Sequence, residues 1–309
     1  MFEKILVPLD GTPEAAVALP PVQAIVKLTH GRLTLLRIVP PPLASGKMLL
    51  EAETYLARVA EELASGATPT STMVRTGDAA EEILTEVDEQ EIDLVVMATH
   101  GRSGLSRALI GSVAQQVLAK SSVPVLLIRP GGHRMTGIET ILVPVDGTPG
   151  GALALGAALG LARVASAKLV LLEVASPIPI SAYGGLAGLD GGFYIDPSWD
   201  DEALRSAQLY VDGLAEKLRR SGIAAEGRAA LGPVTETIAQ TGDAVGANLI
   251  VMSTHALTGP ARTILGSVAD AVVRTGQRPV LLIRRGAHQR AAAEPRLVGS
   301  AARQDGGSR

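Results

Sequence analysis

The 309-residue chain contains no cysteine. This absence excludes disulfides, a cysteine nucleophile and thiolate metal sites, and it suits a reducing compartment. Aromatic residues make up only 2% of the chain. No apolar run approaches the roughly 20 residues that a membrane-spanning helix needs, and the N-terminus leads directly into a strand pattern with no visible secretory signal. The sequence therefore predicts a soluble, cytoplasmic protein without a membrane partner.

The chain also lacks a large excess of positive or negative charge. The net charge of -3 and an isoelectric point near 6.0 give no electrostatic reason to expect nucleic acid as a partner. The sequence has no Walker loop with its lysine, no zinc-type spacing and no recurring Ser-His-Asp order. We therefore expect no metal site built by the protein and assign no catalytic residue. The hydrophobic fraction of 47% is high enough for two domains with real cores.

Three sequence blocks occur twice, in the same order. The block ILVP followed by DGTP stands at residues 5–8 and 10–13 and returns at 141–144 and 146–149. GSVA at 111–114 returns at 266–269, and PVLLIR at 124–129 returns at 279–284. Such a long period indicates two copies of one domain, each expected to fold as its own unit. The predicted organisation is a first domain at 1–130, a linker at 131–138, a second domain at 139–285 and a disordered tail at 286–309.

Short β-branched runs alternate with alanine-rich helical stretches in each half. The predicted strands cover residues 4–9, 33–39, 70–75, 94–99 and 123–129, then 140–145, 168–174, 224–229, 249–253 and 279–284. The predicted helices of the first half cover residues 13–29, 47–65, 79–90 and 112–120, with a kink or break at Pro20 and Pro21. This alternation predicts an α/β fold with two tandem doubly wound five-stranded parallel-sheet domains, Rossmann-like, in the strand order 3-2-1-4-5.

The second half carries a glycine- and proline-rich insert near residues 176–199. Four of the few aromatic residues fall in it, namely Tyr183, Phe193, Tyr194 and Trp199. The insert is either a surface loop that packs its own aromatic side chains or a lid or partner surface.

The ends of strands one and four are the expected binding region, because doubly wound sheets bind ligands where the winding reverses. Gly101 and Gly104 let backbone N–H groups approach an anion, and the helix starting at Gly111-Ser112 attracts negative charge. Asp10 either accepts hydrogen bonds from ribose hydroxyls or caps the next helix. The Ser112 hydroxyl either caps its helix or binds a phosphate oxygen.

The run Ala98-x2-Gly101-x9-Gly111-Ser112, with Asp10 after the first strand and Pro124-Val125 opening the last, resembles the universal stress protein family in tandem form. The resemblance covers residues 1–285. The nucleotide-binding pattern of that family is Gly-x2-Gly-x9-Gly-[Ser/Thr], from which the first half departs only at Ala98. The second half reads Ser253-x2-Ala256-x9-Gly266-Ser267 and has lost two of the three glycines. The resemblance implies nucleotide binding in the first half more than in the second.

The resemblance also implies site residues. The adenine would contact main chain near Val39 or Val174, Pro8 and Asp10 would line adenine and ribose, and the loops after strand four would hold phosphates. The first-half set is Pro8, Asp10, Val39, Ala98, Thr99, His100, Gly101, Arg102, Ser103, Gly104, Arg107, Gly111, Ser112 and Val113. The second-half set is Pro144, Asp146, Val174, Ser253, His255, Ala256, Gly259, Arg262, Gly266, Ser267 and Val268. Arg107 and Arg262 either reach a phosphate or stay solvated, and His100 and His255 are favoured as structural or ligand-contacting residues over general bases.

The implied ligand is ATP, with any Mg²⁺ arriving on its phosphates, or else AMP or a cyclic adenine nucleotide. The first functional hypothesis is an ATP-binding stress-response regulator with slow or no hydrolysis. The second is an interaction or chaperone-like protein with vestigial pockets, and the least supported is a hydrolase or nucleotidyl transferase that uses Asp10 or His100. The last strand of each half would be a bare sheet edge. We therefore expect an internal pseudo-dimer through these strands, with a homodimer through them as well.

Overall fold

The computed structural model describes residues 1–64, 68–99, 110–175, 198–254 and 266–284. Its strands are β1 (Lys4–Pro8), β2 (Arg32–Val39), β3 (Thr70–Thr76), β4 (Leu94–Ala98), β5 (Val125–Ile128), β6 (Thr140–Pro144), β7 (Lys168–Ala175), β8 (Ala225–Leu231), β9 (Leu249–Thr254) and β10 (Val280–Arg284). Its helices are α1 (Pro13–Ala16), α2 (Leu19–Thr29), α3 (Gly46–Ala64), α4 (Ala79–Glu89), α5 (Ser112–Lys120), α6 (Pro149–Ala165), α7 (Ser198–Arg220), α8 (Val234–Ala244) and α9 (Ser267–Thr275). The insert up to residue 197 and the tail from residue 285 lie outside the described residues.

All the strands belong to one ten-stranded sheet in the order β3-β2-β1-β4-β5-β10-β9-β6-β7-β8. Within each half the strands are parallel, and the first half has the predicted order 3-2-1-4-5. The two halves meet where β5 and β10 pair antiparallel, with Leu126 opposite Leu281. The predicted fold class and the internal pairing of the two halves are therefore confirmed.

The core lies in two layers, one on each face of this sheet. Alternation along β1 sends Ile5 and Val7 to one layer and Leu6 to the other, as the pleat of a strand requires. Helices α2, α3, α6 and α7 cover the first layer, and α4, α5, α8 and α9 cover the second. Each layer is continuous across both halves, so the copies share their core. The expectation that each copy folds as its own unit stays a prediction.

The first predicted helix is broken, although two residues earlier than expected. Helix α1 ends at Ala16, and α2 starts at Leu19 with both prolines in its first turn. Pro20 and Pro21 have no N–H to donate to the carbonyls of Ala16 and Val17, four residues before them. The hydrogen-bond ladder therefore stops at those carbonyls rather than at the prolines themselves.

The linker between the halves is packed rather than loose. Met135 and Ile138 are buried in it. The His133 N–H donates to the Gln277 carbonyl at 2.6 Å, and the Arg129 guanidinium donates to the Gly276 carbonyl at 3.1 Å. The connection is therefore anchored on the segment between α9 and β10.

The last strands have no free edge. Strand β5 lies between β4 and β10, and β10 lies between β5 and β9. A homodimer through these strands, as the sequence predicted, would have to replace the internal pairing, because both of their edges are already used. The open edges of the sheet, as far as the structure describes it, are β3 and β8.

The shared core makes a stability prediction. Leu126 is fully buried at the junction of the halves, so Leu126→Ala is expected to lower the free energy of unfolding by about 2–5 kcal/mol. Leu50→Ala is the matched control, because Leu50 is 64% exposed and should cost no more than about 0.5 kcal/mol. Urea unfolding followed by circular dichroism measures both, and one cooperative transition is expected. Equal losses for the two variants, or separate transitions for the two halves, would contradict the shared core.

Candidate functional site

A cavity of about 310 Å³ lies at the carboxyl ends of β1 and β4, where the winding of the first half reverses. Three segments form most of its wall: residues 8–10 at the end of β1, residues 97–99 at the end of β4, and residues 111–114 at the start of α5. Ile38 of β2 and Ile83 of α4 supply apolar surface. The cavity therefore combines an apolar side with a small set of polar groups, as small-molecule sites usually do.

Asp10 lines this cavity and also shapes the loop that carries it. Its Oδ1 accepts hydrogen bonds from the Thr12 N–H at 2.9 Å and from the Thr12 hydroxyl at 2.6 Å. Thr12 is the N-cap of α1, since its Oγ1 accepts from the Ala15 N–H at 3.2 Å. Gly11 between them has φ +86°, which disfavours other residues. Asp10 therefore does not cap α1 itself, but its hydrogen bonds position Thr12, which does.

The start of α5 forms the opposite wall. Gly111 is the N-cap and has no side chain to offer, and Ser112 is exposed at the first helical position, facing the cavity. The Ser112 hydroxyl therefore does not cap the helix. The first N–H groups of a helix have no partner within it, so this end presents donors and the positive end of the helix dipole. Gly111 donates its N–H to the Thr99 carbonyl at 2.8 Å, which ties the helix start to the end of β4.

The second half contains an equivalent cavity of about 450 Å³ at the ends of β6 and β9. Three equivalent positions carry a smaller residue in the second cavity, with Val145, Gly151 and Val174 against Leu9, Ala15 and Ile38. Two carry a larger one, with Val234 and Ser253 against Ala79 and Ala98. The loop geometry is repeated, because Asp146 Oδ1 accepts from the N–H and hydroxyl of Thr148 at 3.0 and 2.6 Å.

The structure brings most of the predicted residues to these cavities. The first cavity is lined by Pro8, Asp10, Ala98, Thr99, Gly111, Ser112 and Val113. The second is lined by Pro144, Asp146, Val174, Ser253, Gly266, Ser267 and Val268. Ten predicted residues lie outside the described residues, namely His100, Gly101, Arg102, Ser103, Gly104, Arg107, His255, Ala256, Gly259 and Arg262.

Val39 is a correction. It is buried and does not line the cavity, whereas Ile38 does. The strand register explains the error, because Leu33 pairs with Ile5 as Leu169 pairs with Ile141, so the counterpart of Val174 is Ile38. A consistent spacing between the repeats would have identified Ile38 from the sequence.

The other lining residues that sequence reasoning missed are apolar. In the first half they are Leu9, Ala15, Ala79, Ile83, Met97 and Ala114. Their types are typical of core residues, and no motif separates a core side chain from one at a cavity wall. Only the packing of α4 over the strand ends reveals Ala79 and Ile83.

A charged side chain lies beside each Asp-Gly-Thr loop, Arg37 in the first half and Glu173 in the second. The Arg37 guanidinium lies 5.2 Å from the centre of the Tyr55 ring in the first half. Glu173 occupies the equivalent position in the second half. Burial first, and then the charge of Asp146, raise the pKa of Glu173 above its usual range.

No three histidine, aspartate or glutamate side chains come together to hold a metal ion in the described ranges. Nor is any helix in those ranges long and apolar enough to cross a membrane.

Comparison with known proteins identifies one family. The sequence profile of the universal stress protein family matches residues 1–129 and again residues 137–284. A universal stress protein of Methanocaldococcus jannaschii is 26% identical over 155 residues, which cover 42% of this chain and 96% of that protein. One from Mycobacterium tuberculosis is 26% identical over 199 residues, covering 63% of this chain and 62% of that protein.

Solved structures agree on the fold. The crystal structure of a universal stress protein from Archaeoglobus fulgidus superposes with a TM-score of 0.72 at 20% identity, covering 93% of this chain and all of that one. A structure from Pseudomonas aeruginosa superposes with a TM-score of 0.65 at 21% identity, covering 92% of this chain and 93% of that one. At these identities the likeness establishes the fold alone.

The raised pKa of Glu173 predicts a pH-dependent stability. A carboxyl group with a higher pKa in the folded chain stabilises the fold at low pH, and this contribution is lost as the pH rises through the folded pKa. Glu173→Gln is therefore expected to gain stability relative to the unmodified chain between about pH 4 and about pH 7. Urea unfolding at the two pH values measures the difference.

Glu226→Gln is the matched control with the opposite sign. Hydrogen bonds from Lys168 and then Arg228 lower the pKa of Glu226. Its contribution is present above the unfolded pKa and lost as the pH falls, so this variant should lose stability toward neutral pH. If both variants showed the same pH trend, the assigned electrostatics of Glu173 would be wrong.

Proposed function

This chain belongs to the universal stress protein family and carries two copies of the family's domain, and we propose that its first half binds an adenine nucleotide, with ATP as the first choice, as a stress-response regulator. The observation that supports this proposal most is the cavity between β1 and β4. It has a carboxylate on one wall and a helix N-terminus on the other. A nucleotide needs these two features at its ribose and its phosphates.

The binding mode follows from the walls. The adenine ring would lie against the apolar side chains of Ile38 and Ile83, near the end of β2. The ribose hydroxyls would donate to the Asp10 carboxylate, which its bonds to Thr12 already orient. The phosphates would lie at the start of α5, where the Ser112 hydroxyl and the free helix N–H groups can donate to them.

The cavity suits binding better than turnover. Its described polar side chains are Asp10, Thr99 and Ser112, and Asp10 uses Oδ1 to hold the α1 cap. A general base needs a positioned partner and a substrate proton within reach. We therefore propose slow or no hydrolysis, with any Mg²⁺ carried on the phosphates. AMP and cyclic adenine nucleotides share the adenine and ribose contacts and are the alternative ligands.

The cytoplasmic location stays a prediction from the sequence, and so does a homodimer, although the last strands already pair with each other within the chain. The second cavity keeps Asp146, Gly266 and Ser267 in the corresponding places. Its loop after β9 has alanine where the family pattern has its second glycine, so the proposal assigns the nucleotide to the first half.

A glycine substitution tests the proposal. Gly111→Val would place a branched side chain at the proposed phosphate position, and ATP affinity should fall by about tenfold or more, or about 1.4 kcal/mol. Gly111 has φ -59° and ψ 150°, which valine adopts without backbone strain. Isothermal titration calorimetry with ATP and Mg²⁺ measures the effect.

Gly266→Val is the matched control, because Gly266 has nearly the same backbone angles at the equivalent helix start. It should leave ATP binding to the first cavity intact. An unchanged affinity in Gly111→Val would overturn the phosphate assignment. An absence of ATP binding in the unmodified chain would favour an interaction protein with vestigial pockets.

A further inference from the structure

One position near the cavities changes charge between the repeats. Arg37 and Glu173 are equivalent positions of β2 and β7, because each directly follows the residue that pairs with the last residue of β1 or β6. Each directly precedes a cavity-lining residue, Ile38 or Val174. Strand alternation turns both toward the opposite face of the sheet, behind the loop whose aspartate lines the cavity.

The first half places a cation against this loop. A side chain on Gly11 would overlap the Arg37 guanidinium, so the two are in contact. Arg37 also lies over the Tyr55 ring at 5.2 Å, a cation–π arrangement that holds the guanidinium in place. Burial raises the pKa of the Tyr55 hydroxyl, the charge of Arg37 lowers it, and the charge of Asp10 raises it. Both charges therefore lie close to this hydroxyl. The cation therefore offsets the carboxylate at the cavity wall.

The second half places a carboxylate there instead. Tyr210 replaces Tyr55 in α7, and its hydroxyl lies beside Gly147. Burial and then the charges of Glu173 and Asp146 raise the pKa of that hydroxyl. Burial and then Asp146 likewise raise the pKa of Glu173, so the two carboxylates lie close together. Glu173 Oε2 is buried and has no hydrogen-bond partner in the part of the chain that the structure describes. Two carboxylates thus stand beside the second cavity, and the described residues in contact with them supply no cation.

We propose that this charge exchange gives the two cavities different ligands: a phosphate-bearing adenine nucleotide in the first and an uncharged adenine nucleoside in the second. The inference rests on the proposed function of the first cavity. The second cavity keeps the proline, the aspartate and the apolar wall that adenine and ribose need. Like charges brought together repel, so its two carboxylates weaken binding of a polyanion and leave binding of a neutral ligand almost unaffected.

The first experiment isolates the second cavity in an Asp10→Ala/Gly111→Val chain, whose first cavity lacks both the proposed ribose acceptor and the proposed phosphate space, and measures adenosine and ATP affinity by calorimetry. Adenosine is expected to bind more tightly than ATP. Glu173→Arg should raise the ratio of ATP to adenosine affinity by about tenfold. Glu173→Gln should give a ratio between those of Glu173 and Glu173→Arg. The gain should shrink at high salt, a response that a change in shape would not give. An unchanged ratio, or no ATP binding in Glu173→Arg, would overturn the proposal.

The reciprocal experiment uses the first cavity in an Asp146→Ala/Gly266→Val chain, whose second cavity lacks both the ribose acceptor and the phosphate space. Arg37→Glu should lower the same ratio by about tenfold, with Arg37→Gln between. Folding is expected to survive, because the second half already accommodates a glutamate at this position.

Ser253→Ala is the uncharged control for the first experiment, because it gives the second cavity the residue that the first has at Ala98. If Ser253→Ala rather than Glu173→Arg conferred ATP binding, the charge account would be wrong.

The two proposals fail separately. If the Asp146→Ala/Gly266→Val chain binds no ATP, the proposed function of the first cavity fails. If that chain binds ATP but neither charge reversal changes the affinity ratio, only the present inference fails. A chain with all four of the substitutions that isolate the cavities should bind neither ligand and gives the baseline for both experiments.

Discussion

The antiparallel pairing of β5 with β10 is the constraint on which the rest of the structure depends. It joins two parallel five-stranded sheets into one, and both core layers run across the junction. A strand that ended each half as a bare edge would expose unpaired backbone groups and a row of apolar side chains. Because each half supplies the missing neighbour of the other, Leu126 and Leu281 become fully buried core residues. The linker, anchored on the segment before β10, keeps the two partners in one chain.

Most of the fold could be predicted from the sequence, because the strands are nearly continuous apolar runs and the repeats fix their equivalence. Strand β1 begins at Lys4, α4 at Ala79 and α5 at Ser112, each at the predicted residue. The break between α1 and α2 was displaced because a proline removes a bond whose acceptor lies four residues earlier. The shared core could not be derived from periodicity, since an apolar face does not indicate which half covers it.

The candidate site was predictable where chemistry marks a residue and not where packing alone does. Asp10, Gly111 and Ser112 stand out in sequence because each is a polar or small residue at the end of an apolar strand or at a helix start, and because each recurs in the second repeat. Ile38 and Ile83 do not, because an isoleucine at a cavity wall looks like any core isoleucine. The charge exchange between Arg37 and Glu173 is visible in the aligned repeats, but its meaning needs the structure, which places both side chains behind the Asp-Gly-Thr loops.

Duplication of the domain left two cavities with the same frame and different electrostatics. The Asp-Gly-Thr turn and the glycine–serine helix start are kept in both halves, whereas volume and charge at the walls have diverged. The most direct measurement of the central claim is to denature freshly purified protein and to identify and count the released nucleotide by chromatography and mass spectrometry. The account predicts one adenine nucleotide per chain, held by the first half. No released nucleotide, together with no binding of ATP and Mg²⁺ on titration, would contradict it.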